Sequence, residues 1–231
     1  MKNKLISIDF LKTPIDDSDT VEGLKAFFQK VLPLISHREQ HFDNVWKKGN
    51  EEEIFAELVF CLFTPQSKAV SCWIAVNALA DKNMILNSNK EDMAKTINGT
   101  RFKNNKAKYV VEARNFFTLN GKIKIKEKLA SFNDIYKLRK WLTINVKGIA
   151  YKEAGHFLRN IGIGKNFAIL DRHILRNLKV YGVIEEFPKN LNVKTYLKIE
   201  KKMQDFAKET GIPMSHLDML FWCKSTGKIF K

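Results

Sequence analysis

A chain of 231 residues with 45% hydrophobic residues is long and apolar enough to bury a core, which excludes a disordered protein. The 40 Lys and Arg against 25 Asp and Glu leave a formal net charge of +15, the balance of a protein that meets a polyanion, nucleic acid first. Three scattered cysteines, Cys61, Cys72 and Cys223, exclude a disulfide framework, a zinc site and a four-cysteine iron–sulfur centre, and read as buried apolar residues in a reducing compartment. The opening MKNKLISIDF lacks the apolar core of a signal peptide, and no apolar run approaches the ~20 residues that span a membrane. A cytoplasmic location, on the chromosomal DNA, is the expectation.

The first twenty residues carry no pattern, and from there most segments read as helix. VEGLKAFFQKVLPLI (21–35) and EEEIFAELVFCL (51–62) start acidic and turn apolar, as helix N-termini do. FTPQSKA follows, interrupted by Pro65, and SKAVSCWIAVNALA (67–80) reads as a buried helix. RFKNNKAKYVVEARNFF predicts a helix over 103–117 with a cationic leading end. GKIKIKEKL alternates like a strand, but no partner strand is evident, so it reads as a loop entering a helix. In NDIYKLRKWLTIN, Asn133 or Asp134 is the N-cap, and Ile135, Leu138 and Leu142 follow at helical spacing. VKGIA is a tight turn, and the helix after it runs to about Ile161 and stops at Gly162. GIGKNFAIL is an apolar linker, after which Asp171 caps a helix to about Val180. TYLKIEKKMQDFAKET (195–210) is amphipathic through Tyr196, Ile199, Met203 and Phe206, with Gly211 as its stop, and Pro213 opens a last helix. No repeat or low-complexity linker divides the chain. The expected fold is all-α, one unit over 1–231 made of two helical lobes with a cleft between them.

The helix after VKGIA turns its apolar stripe (Ala154, Phe157, Leu158, Ile161) away from Lys152, His156 and Arg159. Taken alone, that charged face is the solvated side of a surface helix. The turn changes its meaning. Two helices joined by such a turn, over about 133–162, form a helix-hairpin-helix, which offers backbone amides and a helix N-terminus to a phosphate. A lysine beside the bound strand suits Schiff-base chemistry at a sugar carbon. A free lysine titrates near ~10.4, so that role needs an environment that disfavours the ammonium, and a positive helix end is one. Asp171, 19 residues beyond Lys152, reads as a helix N-cap or as a carboxylate facing the same cleft. In the second role it would stabilise the oxocarbenium-like charge of a breaking glycosidic bond.

VKGIAYKEAGHFLRNIG followed by AILDRHILR resembles the helix-hairpin-helix DNA glycosylase superfamily. More narrowly, the chain resembles the archaeal and bacterial 8-oxoguanine DNA glycosylase/AP lyases of the second Ogg family. LVFCLFTPQSKAV is similar to that family's N-terminal segment, and HLDMLFWCKSTGKIFK to its C-terminal signature. The resemblance implies that Lys152 attacks C1′ of the damaged nucleotide, expels the base, forms a Schiff base and promotes β-elimination, with Asp171 as the second catalytic residue. It implies that Gln66 fills the place of the flipped-out base, and that Lys147, Gly148 and Ala150 in the hairpin hold the DNA backbone, their carbonyls holding a monovalent ion. It further implies a lesion pocket from Asp218, Trp222 and the terminal carboxylate of Lys231. Asp218 and Trp222 are spaced i, i+4 on one helix face, and an anionic acceptor would select the N7–H that 8-oxoguanine carries and guanine lacks. The reaction needs no metal or organic cofactor. The partner is duplex DNA containing the lesion, bound by a monomer, and Arg101, Lys103, Lys106 and Lys108 are further candidates for the DNA-facing surface.

The chain departs from the superfamily at Ala150, where the hairpin usually carries a second glycine; a positive φ there would strain alanine. Plainer readings stand beside each assignment: Gln66 as a loop residue, Trp222 as core, Asp218 as a surface charge, and Lys231 as a frayed end. The absence of iron–sulfur cysteines separates the chain from the endonuclease III branch. Alternatives are a glycosylase for another oxidised base, a non-catalytic helix-hairpin-helix DNA-binding module, and a basic RNA-associated protein.

Overall fold

The computed structural model describes residues 11–13 and 18–231. The first helix, α1 (Val21–Lys48), begins where the Thr20 hydroxyl accepts the Gly23 N–H, and it runs well past residue 35. Pro33 lies inside it on the exposed side, where the carbonyl freed by the missing N–H faces water and the helix continues. A reciprocal cap between Asn50 and Glu53, at 2.8 and 2.9 Å, starts α2 (Glu51–Phe63). This helix is buried on every face from Ile54 to Phe63. Next come α3 (Ala69–Asp81), α4 (Met84–Asn87), α5 (Lys90–Thr96) and α6 (Lys103–Phe117).

GKIKIKEKL does have a partner strand, contrary to expectation. Thr118–Leu119 pairs antiparallel with Lys122–Ile123 through Asn120 and Gly121, both at positive φ (51° and 73°), and α7 (Ile125–Ala130) follows. The Asn-Gly pair was the signal, because a two-residue loop of this kind needs left-handed backbone at both positions. Asp134, rather than Asn133, caps α8 (Ile135–Asn145), and α9 is Tyr151–Asn160. Three helices complete the chain, α10 (Arg172–Val180), α11 (Val193–Thr210) and α12 (Met214–Thr226). After α12, Lys228–Ile229 pairs antiparallel with Leu11–Lys12.

Two hydrophobic clusters divide these helices. One gathers α2 to α9 around Phe55, Phe60, Trp73, Leu142 and Phe157. The other joins α1, from Leu24 to Phe42, to α10, α11 and α12 around Val31, Ile174, Met203 and Phe221. Trp222 packs against both, and the chain end contributes Ile229 to one and Phe230 to the other.

A buried ion pair ties the two together. Arg139 on α8 meets Glu200 on α11 in a bidentate pair of 2.6 and 2.7 Å. Glu200 also accepts the Ala168 N–H at 2.9 Å, and the Tyr196 hydroxyl donates to the Ala168 carbonyl at 2.5 Å. The Arg139 guanidinium lies 3.9 Å over the Phe167 ring. The apolar linker between α9 and α10 is therefore clamped by named polar bonds just before it delivers Asp171.

Candidate active site

The α8–α9 turn is built around Gly148, at φ 89°. A Cβ there would stand 2.5 Å from the Tyr109 ring, so backbone conformation and close approach both demand glycine. Ala150 differs from what the missing glycine suggested. Its backbone is extended, at φ −103° and ψ −174°, which alanine adopts without strain. Its N–H donates to the Glu153 carboxylate at 3.3 Å. Lys147, Gly148 and Ala150 are exposed together at this turn, with the Lys147 ammonium 5.8 Å over Tyr109.

Lys152 is the second residue of α9 and opens onto a cleft of about 1110 Å³. Its Nζ stands 3.1 Å from Glu153 Oε1, and its side chain is 24% exposed. His156 and Arg159, one and two turns on, line the same cleft but are buried at 6% and 5%. The charged face of α9 is thus the wall of a cleft and not a solvated surface.

Asp171 lines the cleft from the head of α10. Its Oδ1 accepts from the His173 and Ile174 N–H groups at 2.8 and 2.9 Å. Both capping bonds fall on one oxygen, so Oδ2 is uncommitted to the cap.

From α12, Asp218 and Trp222 face the same space. Asp218 is a buried group, 4% exposed, rather than a surface charge. Burial pushes its carboxyl up to about 6, against the pull of Arg159, whose Nη2 is 3.5 Å away. The chain end is held rather than frayed. The Lys231 ammonium is buried against the Glu57 carboxylate and 3.7 Å over the Trp73 ring. Burial lowers its pKa. Burial and the cations Arg159, Lys152 and Lys231 hold the His156 pKa well below its ordinary value. Gln66 stands exposed at the cleft's rim, at φ 55°.

One cleft therefore unites Lys152, Asp171, Asp218, Trp222, Lys231 and Gln66, while the hairpin residues lie outside its lining. A family model described as 8-oxoguanine DNA glycosylase matches residues 35–212. The chain belongs to this family. A curated 8-oxoguanine DNA glycosylase/AP lyase of Fusobacterium nucleatum is 43% identical over 208 residues, which is 90% of this chain and 96% of that protein. The protein of the same description from Methanocaldococcus jannaschii is 37% identical over 212 residues, 91% of this chain and 97% of the relative. Among solved structures, the M. jannaschii enzyme in complex with a 15mer DNA containing 8-oxoguanine superposes with a TM-score of 0.83 at 34% identity, covering 91% and 99% of the two chains. The Thermotoga maritima 8-oxoguanine DNA glycosylase gives 0.81 at 31% identity, covering 91% and 98%.

Against this glycosylase fold, the sequence reading passed over the polar supports. Glu57 holds Lys231 and accepts from Asn160 Nδ2 at 3.2 Å. Its signal was a lone carboxylate inside the apolar run IFAELVFCLF. Arg159 shares a face that, taken alone, reads as solvated, and Lys106 is one of four candidates for the DNA-facing surface. Lys106 is 3% exposed, so it cannot meet phosphate; its ammonium is turned inward to the backbone of the α2–α3 loop.

Proposed function

We propose that the chain excises 8-oxoguanine from duplex DNA and cleaves the strand on the 3′ side of the lesion. The observation that carries this reading is the convergence of Lys152 and Asp171 on one cleft whose far wall is Asp218, Trp222 and the chain end. The hairpin amides and the exposed Lys147 grip phosphates without reading sequence. The damaged nucleotide turns out of the stack into the cleft, since C1′ is out of reach inside the duplex. Gln66, exposed at the rim, occupies the place it leaves.

The Lys152 amine attacks C1′ as the bond from C1′ to N9 breaks; the electron pair leaves with the base, which takes up a proton. The uncommitted oxygen of Asp171 faces the positive charge that grows on the sugar. Ring opening gives the imine between Nζ and C1′. Loss of a C2′ proton then expels the 3′ phosphate, and water releases the lysine. For lesion choice, an acceptor must meet the N7–H of 8-oxoguanine. Ionised Asp218 is an anionic group at that wall, a terminal carboxylate of Lys231 is the second acceptor we propose there, and Trp222 supplies a plane for the purine. The enzyme works as a monomer on DNA in the cytoplasm; no described helix is long and apolar enough to cross a membrane.

Borohydride trapping tests this on a duplex with one 8-oxoguanine, using wild type and Lys152→Gln. A covalent adduct with wild type alone is the expected result. An adduct that survives in the variant makes another amine the nucleophile. Tight duplex binding without any adduct makes the chain a non-catalytic DNA-binding module.

A further inference from the structure

Lys106 sits in the first helical turns of α6, where the positive helix end disfavours a cation, and it is 3% exposed in a chain that keeps most of its cations in water. Desolvation lowers its pKa, as does the charge of Lys152. Something must compensate, and the compensation is a single loop. The Lys106 ammonium donates to the Phe63 carbonyl at 2.5 Å, the Pro65 carbonyl at 2.9 Å and the Ser67 hydroxyl at 2.8 Å. An ammonium has three donors and no acceptor, so its inventory is complete. The three acceptors are alternate residues of the chain that leaves α2, and the first is a carbonyl at the negative end of that helix. The Ser67 hydroxyl also accepts the Arg101 N–H at 3.0 Å, which ties the same loop to the segment before α6.

The residue left at the tip of this wrapped loop is Gln66, exposed and in the left-handed region that side-chain-bearing residues disfavour. Such a conformation persists only where the surroundings over-determine it, and such sites cluster where a segment works on a ligand. We propose that Lys106 is a positioning residue: it holds the α2–α3 loop in the shape that presents Gln66 to the duplex, and it touches neither DNA nor the reacting atoms. This rests on the reading of Gln66 as the side chain that replaces the flipped-out base. With all three protons engaged, Lys106 is also not a second nucleophile, although its charge is felt from Lys152.

Lys106→Met keeps the length of the apolar stem and removes the ammonium. Two substrates separate positioning from general structure. A duplex with 8-oxoguanine must have its base extruded, whereas a duplex with a preformed abasic site has no base to unstack. Single-turnover excision of 8-oxoguanine should fall about tenfold to a hundredfold, while borohydride trapping at the abasic site stays within about threefold of wild type. Equal losses on both substrates would make Lys106 a structural residue only and overturn the proposal. Gln66→Ala separates the two levels of the claim. Excision unchanged in Gln66→Ala removes the reading of Gln66 and the proposal with it. Excision slowed in Gln66→Ala but not in Lys106→Met removes the clamp alone. Where Lys106→Met does not fold, Ser67→Ala decides: it removes one of the three acceptors, and the same split between substrates should appear at smaller size. No split with Ser67→Ala overturns the clamp.

Discussion

The Glu57–Lys231 pair offers a quantitative test of how the chain end is held. Both side chains are almost fully desolvated, at 5% and 3% exposure, so solvent screening takes little from their interaction. Glu57→Gln removes the negative charge and leaves a buried ammonium. It also puts one acceptor where two donors converge, Lys231 Nζ and Asn160 Nδ2, so one donor meets another. Breaking one side of a buried pair costs about 3–5 kcal/mol. The face of Trp73, 3.7 Å from the ammonium, returns part of that, by ~2 kcal/mol at most. The net expectation is ~3 kcal/mol, a drop in Tm of roughly 6–12 °C for a chain of this size. Lys231→Met should cost a similar amount by stranding the carboxylate. The double variant strands no charge, so its cost should fall below the sum of the singles by ~2 kcal/mol. Urea unfolding of the four proteins measures this cycle. Additivity within ~0.5 kcal/mol would mean that the two charges do not depend on each other, and the account of the held terminus would be wrong.

Asp218 should give stability a signature in pH. Its carboxyl is raised from an ordinary 3.8 to about 6, so the native state binds that proton more tightly than the unfolded chain does. Its contribution is fully present below about pH 4 and is lost as pH rises through about 6, by ~3 kcal/mol. Urea midpoints between pH 4 and 7 should show that slope in wild type and a flatter one in Asp218→Asn; equal slopes would refute the assignment. Excision should show an acid limb near pH 6 if the ionised form is the lesion's acceptor, and Asp218→Asn should remove that limb. Gly148→Ala places a Cβ 2.5 Å from the Tyr109 ring at a φ of 89°, so it should cost ~1–3 kcal/mol in unfolding. The same variant should weaken binding to undamaged duplex about tenfold, measured by anisotropy, because the hairpin amides lose their aim.

Local features of the fold were legible because their causes are local. Asp134 and Asp171 are caps whose acceptors and donors lie within three residues, and the stripe from Ala154 to Ile161 states which face of α9 meets the hydrophobic core. The continuation of α1 past residue 35 to Lys48 was not legible, because between Ser36 and Lys48 only Phe42 and Val45 are buried apolar residues, too few to state a helical stripe. Lys152 and Asp171 emerged from the turn before one and the spacing to the other. Their supports did not, because each support is a pairing across the chain: Lys106 reaches 39 to 43 residues back, and Lys231 reaches 174 back to Glu57. One half of each such pairing does leave a mark. Glu57 interrupts IFAELVF, and Asp218 interrupts HLDMLF, each a charge set in an apolar run. A charge in such a run either turns the helix face to water or demands a partner. Here α2 and α12 have no watery face at those positions, so the partner is obligatory. Finding it, Lys231 for one and Arg159 for the other, takes the tertiary structure. Of these buried charges Arg159, Asp218 and Lys231 line the cleft around Lys152, so part of its wall consists of groups withdrawn from water that depend on partners brought from elsewhere in the chain.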